Sequence, residues 1–192
     1  MILSNQDIRG AIDRGDLILA PMPPACNFST SAVDLRVANG FWRWKRTVGG
    51  AESLNINCTE ANIPELREYA EEVPLDQAGR VAIPRDTFLL GRTLETVTLP
   101  PSGKLAARVE GRSTLARLGL SVHITAPVIH SGFSGPIVLE FMNHGPHTLL
   151  LEPGETCVCQ LVFEQLSNVP TIELETVFQD QNGPFGKRSN DT

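Results

Sequence analysis

From residue 81 onward this chain is a succession of short β-rich runs, broken by glycine or proline at intervals of roughly ten residues. The breaks stand at Pro100-Pro101, Gly132, Gly135, Gly145-Pro146 and Pro153-Gly154. Evenly spaced short strands with turn residues between them point to a β-barrel or jelly-roll-like domain. Strands are predicted at 87–91, 94–99, 104–110, 121–125, 137–141, 148–151, 156–164 and 171–177. The fold class is therefore mainly β, a β-barrel or jelly-roll-like fold that carries short helices.

The first part of the chain reads differently. Ser4 with Asp7, followed by Ile8 and Ile12, predicts a capped helix that stops near Gly15, within an N-terminal helix region over 1–20. Residues 32–37 alternate as a strand should, and Asn39-Gly40 predicts a hairpin turn into Phe41-Trp42-Arg43-Trp44. The stretch 45–80 is the least regular. It carries a predicted helix over 63–71, introduced by Pro64, and reads as an insertion or lid. A length of 192 residues suits a single domain spanning 1–192. The tail 179–192, with Gly183, Pro184 and Gly186 beside Lys187 and Arg188, is expected to be mobile and to close over an anionic ligand.

Composition excludes several classes. No apolar run reaches the length of about 18 residues that a membrane helix needs, and the N-terminus lacks the basic then apolar order of a signal peptide, so a cytoplasmic location with no membrane partner is expected. Cys26, Cys58, Cys157 and Cys159 are too few and too irregular for a disulfide framework, and reduced thiols follow. A formal charge of -6 argues against a nucleic-acid partner. The charge is uneven, however. Lys104, Arg108, Arg112 and Arg117 face only Glu110 within their stretch, which draws anions locally.

Two features carry chemistry. Glu140 interrupts the apolar run Ile137-Val138-Leu139-Glu140-Phe141-Met142 on the strand face it shares with Val138 and Met142. An unpaired carboxylate in an apolar setting costs several kcal/mol, so it must find donors or a cation, or keep its proton and serve as a general acid/base. From periodicity alone, a solvent-facing or arginine-paired glutamate is an equal reading. The second feature is the turn Gly111-Arg112-Ser113-Thr114-Leu115-Ala116-Arg117. There Ser113 is expected to cap a helix of little more than one turn, stopped by Gly119, and to send N–H groups and hydroxyl toward phosphate oxygens. The alternative is a capped surface helix with solvated arginines.

Metal and serine chemistry fit poorly. The Cys157/Cys159 spacing is not that of a zinc deaminase, no His-x-Glu occurs, and His123, His130, His144 and His147 read as turn or strand-end residues, so no metal ligands and no zinc are assigned. Ser113 does not lie in a Gly-x-Ser-x-Gly elbow. Hydrolysis by a protein-activated water is what the residues allow.

The segments Gly111 to Leu120, Val122-His123-Ile124-Thr125-Ala126, Gly132-Phe133-Ser134-Gly135 and Ile137-Val138-Leu139-Glu140-Phe141 resemble the dCTP deaminases of the dUTPase-like superfamily. The likeness extends to Val33-Asp34-Leu35-Arg36, Pro153-Gly154, Gln160-Leu161-Val162-Phe163 and Phe178-Gln179-Asp180-Gln181. This resemblance implies a distorted β-barrel of the dUTPase type assembled as a homotrimer with sites between subunits, and zinc-independent hydrolysis of dCTP to dUTP and ammonia. It implies that Glu140 shuttles protons for water attack at cytosine C4, with Ser113 and Arg117 as catalytic partners. Substrate binding would fall to Arg112, Thr114, Thr125, Ala126, His130, Phe178 and Gln181, with Mg2+ travelling on the triphosphate.

Three positions depart from the family pattern. His130 stands where an aspartate is usual, and an imidazole does not replace a carboxylate as a base without a matched pKa. Val177 and Phe178 stand where a lysine and a tyrosine are usual, with Lys187 or Arg188 as possible compensation. The alternative functions are therefore a dUTP/dCTP pyrophosphatase or bifunctional deaminase-pyrophosphatase, and a non-catalytic nucleotide-binding homologue.

Overall fold

The computed structural model describes residues 1–46, 55–176, 178–181 and 183–186; Val177, Lys187 and Arg188 lie outside the described residues. In chain order its elements are α1 (Asn5–Asp13), β1 (Ile18–Ala20), β2 (Val33–Arg36), β3 (Phe41–Trp44), α2 (Ile63–Leu66), β4 (Ala70–Val73), β5 (Val81–Ile83) and β6 (Phe88–Thr98). There follow β7 (Leu105–Gly111), α3 (Ser113–Arg117), β8 (Leu120–Ser121), β9 (Val128–Ile129), β10 (Ser134–Asn143), β11 (Leu149–Leu151) and β12 (Cys157–Gln165). The protein is mainly β, as its punctuation predicts. Among the described residues no helix is long and apolar enough to cross a membrane.

One sheet runs β4-β3-β6-β10-β8, with β1 also on β6; a second runs β2-β12-β7-β9, and β11 pairs β5. Between them lies one core, to which α1 contributes Ile8 and Ala11. The Ser4/Asp7 capping box that starts α1 is present in full: Ser4 Oγ accepts from the Asp7 N–H and Asp7 Oδ2 from the Ser4 N–H. Deep in the core the rings of Phe41 and Phe141 close over Gly91. A side chain there would come within 2.8 Å of the Phe141 ring, so only glycine permits that packing.

Several expectations need correction. The turn at Gly40 exists, with φ +91, but β2 and β3 do not form a hairpin. β2 pairs β12 and β3 pairs β4 and β6, so the chain changes sheets at the turn. The strands predicted at 87–91 and 94–99 are one eleven-residue strand, β6. Thr93, in the gap between those two predicted strands, is fully buried and satisfied: its hydroxyl donates to the Glu95 carbonyl at 2.7 Å and accepts from the Ile137 N–H at 2.9 Å, at a register shift in β10.

The predicted strand 121–125 is paired only at β8, and residues 122–127 leave the sheet. Residues 171–176 form no strand. The predicted 63–71 helix is α2 followed by a single 3-10 turn, after which the backbone joins the sheet as β4.

The four thiols are free. Cys159 is fully buried and Cys157 half-buried, because a register shift between them puts Val158 and Cys159 inside together. Burial holds the Cys159 thiol far above its ordinary pKa, in its protonated form.

Candidate active site

β10 shows two faces. Leu139 and Phe141 point into the core, while Val138, Glu140 and Met142 form the half-buried opposite face. That face continues across the sheet, since Glu140 sits opposite Leu90 and Leu90 opposite Trp42. A cavity of about 360 Å³ opens over it. Glu140 and Val138 line it from β10, and Phe88 and Leu90 from β6. Trp44 of β3 and Ile63 of α2 form a further wall, and His123 and Ala126 come from the segment beyond β8. The tail supplies Phe178, Gln181 and Pro184.

Polar groups in this cavity are few and placed. Glu140 Oε2 accepts from the Ile124 N–H at 3.4 Å, a long contact of the kind that shortens when a ligand closes the site. His123 Nδ1 and Gln181 Oε1 are buried without a hydrogen-bond partner among the described residues. Such an orphan costs about 1–3 kcal/mol in a folded protein, which a bound polar ligand can relieve.

The tail is anchored around the cavity's rim. Gln179 Oε1 accepts from the Ser134 N–H at 3.2 Å, its Nε2 donates to the Gly132 carbonyl at 2.8 Å, and the Asp180 N–H donates to the Ser134 carbonyl at 2.7 Å. Phe185, 2% exposed, packs edge-on against Trp42 and Trp44.

The cationic turn is built elsewhere on the chain. The N-cap of α3 is Arg112, not Ser113, which is the first helical residue; no side chain caps the helix. Ser113, Thr114 and Arg117 are exposed, and Gly119 ends the helix with φ +93. The turn is braced from beneath. Arg112 Nη2 meets Asp34 Oδ2 at 3.0 Å, Arg112 Nη1 donates to the Cys157 carbonyl at 3.2 Å, and Gln160 Nε2 donates to the Gly111 carbonyl at 3.2 Å. Burial raises the pKa of Asp34, opposed by the Arg112 charge. Arg108 is held by Glu164, which leaves Arg112's unused donors and Arg117 as the cations at the helix.

Of the residues assigned from sequence, Glu140, Ala126, Phe178 and Gln181 therefore line one cavity. Arg112, Ser113, Thr114 and Arg117 lie together on α3 and its cap, outside that lining. Thr125 and His130 are exposed and do not line it. His123, read as a strand-end residue, is a wall of it, as are Trp44, Ile63, Phe88 and Leu90. The alternation Trp42/Trp44 and Phe88/Leu90 was the available signal for an apolar outer face. Among the described residues no group of three or more His, Cys, Asp or Glu is arranged to hold a metal ion.

A family model described as dCTP deaminase-like matches residues 2–166. The chain belongs to the dCTP deaminase-like family. It is 36% identical to a Marinomonas protein named dCTP deaminase, over 99% of this chain and 91% of that one. It is also 36% identical to a Dictyoglomus thermophilum protein named "dCTP deaminase, dUMP-forming", over 99% and 95% of the two chains. A crystal structure of 2'-deoxycytidine 5'-triphosphate deaminase from Agrobacterium tumefaciens shares the fold with a TM-score of 0.63 at 19% identity. That match covers 85% of this dCTP deaminase-like chain and about half, 48%, of the other.

Proposed function

We propose that this protein hydrolyses dCTP to dUTP and ammonia, with Glu140 activating the water that attacks C4 of cytosine. The observation that carries the reading is a single carboxylate in a mostly apolar cavity whose lining also includes two residues, His123 and Gln181, with buried polar atoms that lack partners among the described residues. Membership of the family supplies the base. Glu140 takes a proton from water as the C4–O bond forms, and returns it as the C4–N bond breaks, which is proton transfer by one positioned group in both directions. His123 and Gln181 offer hydrogen bonds to the base or to the leaving amine.

The triphosphate, entering with Mg2+ bound to its own oxygens, falls to Arg112, Ser113, Thr114 and Arg117. An ion held in this way needs no cage of protein carboxylates. Those residues lie outside the lining of the Glu140 cavity, which supports a site that joins the cavity of one copy to the helix of another in a homotrimer. Each copy acts as a single domain, and its tail opens to admit the nucleotide and closes over it.

The test is product analysis by chromatography after incubation with Mg2+ and dCTP, with the Glu140→Gln variant alongside. Equimolar dUTP and ammonia from the wild type and none from the variant is the expected result; undiminished turnover by the variant refutes the role of Glu140. The relative named dUMP-forming gives weight to a second reading, in which pyrophosphate is released as well. A coupled pyrophosphate assay separates the two. His130, exposed and outside the cavity lining, does not favour it.

A further inference from the structure

The two flanks of Glu140 differ in kind. On one side β10 meets β8 and the segment that follows, which brings the Ile124 N–H to the carboxylate and places His123 and Ala126 in the cavity wall. On the other side β10 meets β6, and the wall is Leu90, directly opposite Glu140, with Phe88, Trp44 and Ile63 beyond it. These four side chains belong to a small hydrophobic cluster separate from the barrel core, to which the tail adds Phe185.

A cytosine ring has the same asymmetry about the atom under attack. C4 is bonded on one side to N3, which leads to the C2 carbonyl, and on the other to C5, which leads to C6; the first edge accepts hydrogen bonds and the second is hydrocarbon. With C4 at Glu140, only one orientation avoids pressing N3 and O2 against Leu90 and Phe88, where they would be left unpaired. It sets the polar edge toward residues 123–126 and sends the C5 substituent into the apolar wall.

We propose, resting on the reading of this cavity as the cytosine site, that the enzyme also deaminates cytosine nucleotides that carry a small apolar group at C5, converting 5-methyl-dCTP to dTTP. The step balances without a further reactant. The oxygen of water bonds to C4, the C4–N4 bond breaks, and the two protons of water end on N3 and on the departing amine, which leaves as ammonia. A methyl group at C5 meets Leu90, Phe88, Trp44 and Ile63, four largely hydrocarbon surfaces with no charge among them to reject it. Ile63 comes from the irregular insertion, so the part of the chain outside the barrel core sets what C5 can carry.

The experiment is steady-state kinetics on the full chain with Mg2+ and either dCTP or 5-methyl-dCTP, products separated by chromatography. The expected kcat/KM for 5-methyl-dCTP lies within tenfold of that for dCTP, with dTTP as the product. Turnover of dCTP with a more than tenfold preference against the methylated substrate overturns this inference and leaves the deaminase reading standing, whereas no turnover of dCTP removes both. The Ile63→Phe variant then locates the methyl group: filling the wall should lower the 5-methyl-dCTP to dCTP ratio of kcat/KM by at least tenfold, the order that one methylene is worth in an apolar pocket. A ratio measured on one preparation is unaffected by the fraction folded, and an unchanged ratio overturns the placement.

Discussion

The cavity around Glu140 and the turn that leads into α3 are made on opposite principles. The cavity is a partly open, mostly apolar recess assembled from residues as far apart in sequence as Trp44 and Pro184. The turn is one short, mostly exposed stretch in which a carboxylate and a carbonyl beneath orient Arg112. A planar base gains from exclusion of water, whereas a triphosphate gains from fixed, solvent-accessible positive groups that it can reach without full desolvation. The two regions thus suit the two halves of the nucleotide in the proposed function.

The sharpest way to break this comparison is at Glu140. Replacing it by Gln keeps size and hydrogen bonding but removes the base, and kcat for ammonia release should fall by about a thousandfold or more, with nucleotide binding retained in equilibrium dialysis. Next is complementation. If cavity and helix come from different copies, mixing and reassembling the inactive Glu140→Gln and Arg117→Ala proteins should restore activity at about a quarter of the sites, a recovery forbidden if each chain works alone.

A smaller effect is expected at Asp34. The Asp34→Asn change removes the carboxylate that holds Arg112, and KM for dCTP should rise about tenfold with kcat changed far less, the loss of one charge-assisted contact. Combined with Arg112→Ala it should add little more, since both act through one guanidinium. Because burial lifts the Asp34 carboxyl above its ordinary 3.8, the pair is lost to protonation earlier on acidification than an exposed aspartate would lose it. The wild-type KM should climb toward that of Asp34→Asn as pH falls into that range, while KM for the variant should stay flatter. The smallest effect is on thiol labelling: exposed Cys26 and Cys58 should react with a maleimide at once, and Cys159 only as the barrel unfolds.

Much of the barrel was legible because its strands alternate and its turns carry glycine or proline. Where it was not, a tertiary contact replaced a local rule. The gap at Thr93 looks like a strand break until the backbone of Ile137 supplies that residue's partner, and Asn39-Gly40 looks like a hairpin until each flanking strand finds a different sheet. Glu140 stood out because an acid in an apolar run demands a reason. His123 did not, because nothing local distinguishes a histidine that ends a strand from one that turns into a cavity. The apolar wall was harder still, since Ile63, Trp44 and Leu90 become neighbours only once the insertion folds back on β6.

Gly119 and Gly145 hold a further consequence. Their backbones touch so closely that a side chain on Gly119 would come within 2.3 Å of the Gly145 nitrogen, and the His144 N–H donates to the Gly119 carbonyl at 2.8 Å. The exit of α3 is thereby riveted to the end of β10, the strand that bears Glu140. Each copy then offers its acid and its cations at one unalterable offset, like the tab and slot of a stamped part. In the homotrimer proposed above, the angle at which one copy meets the next would follow from that offset.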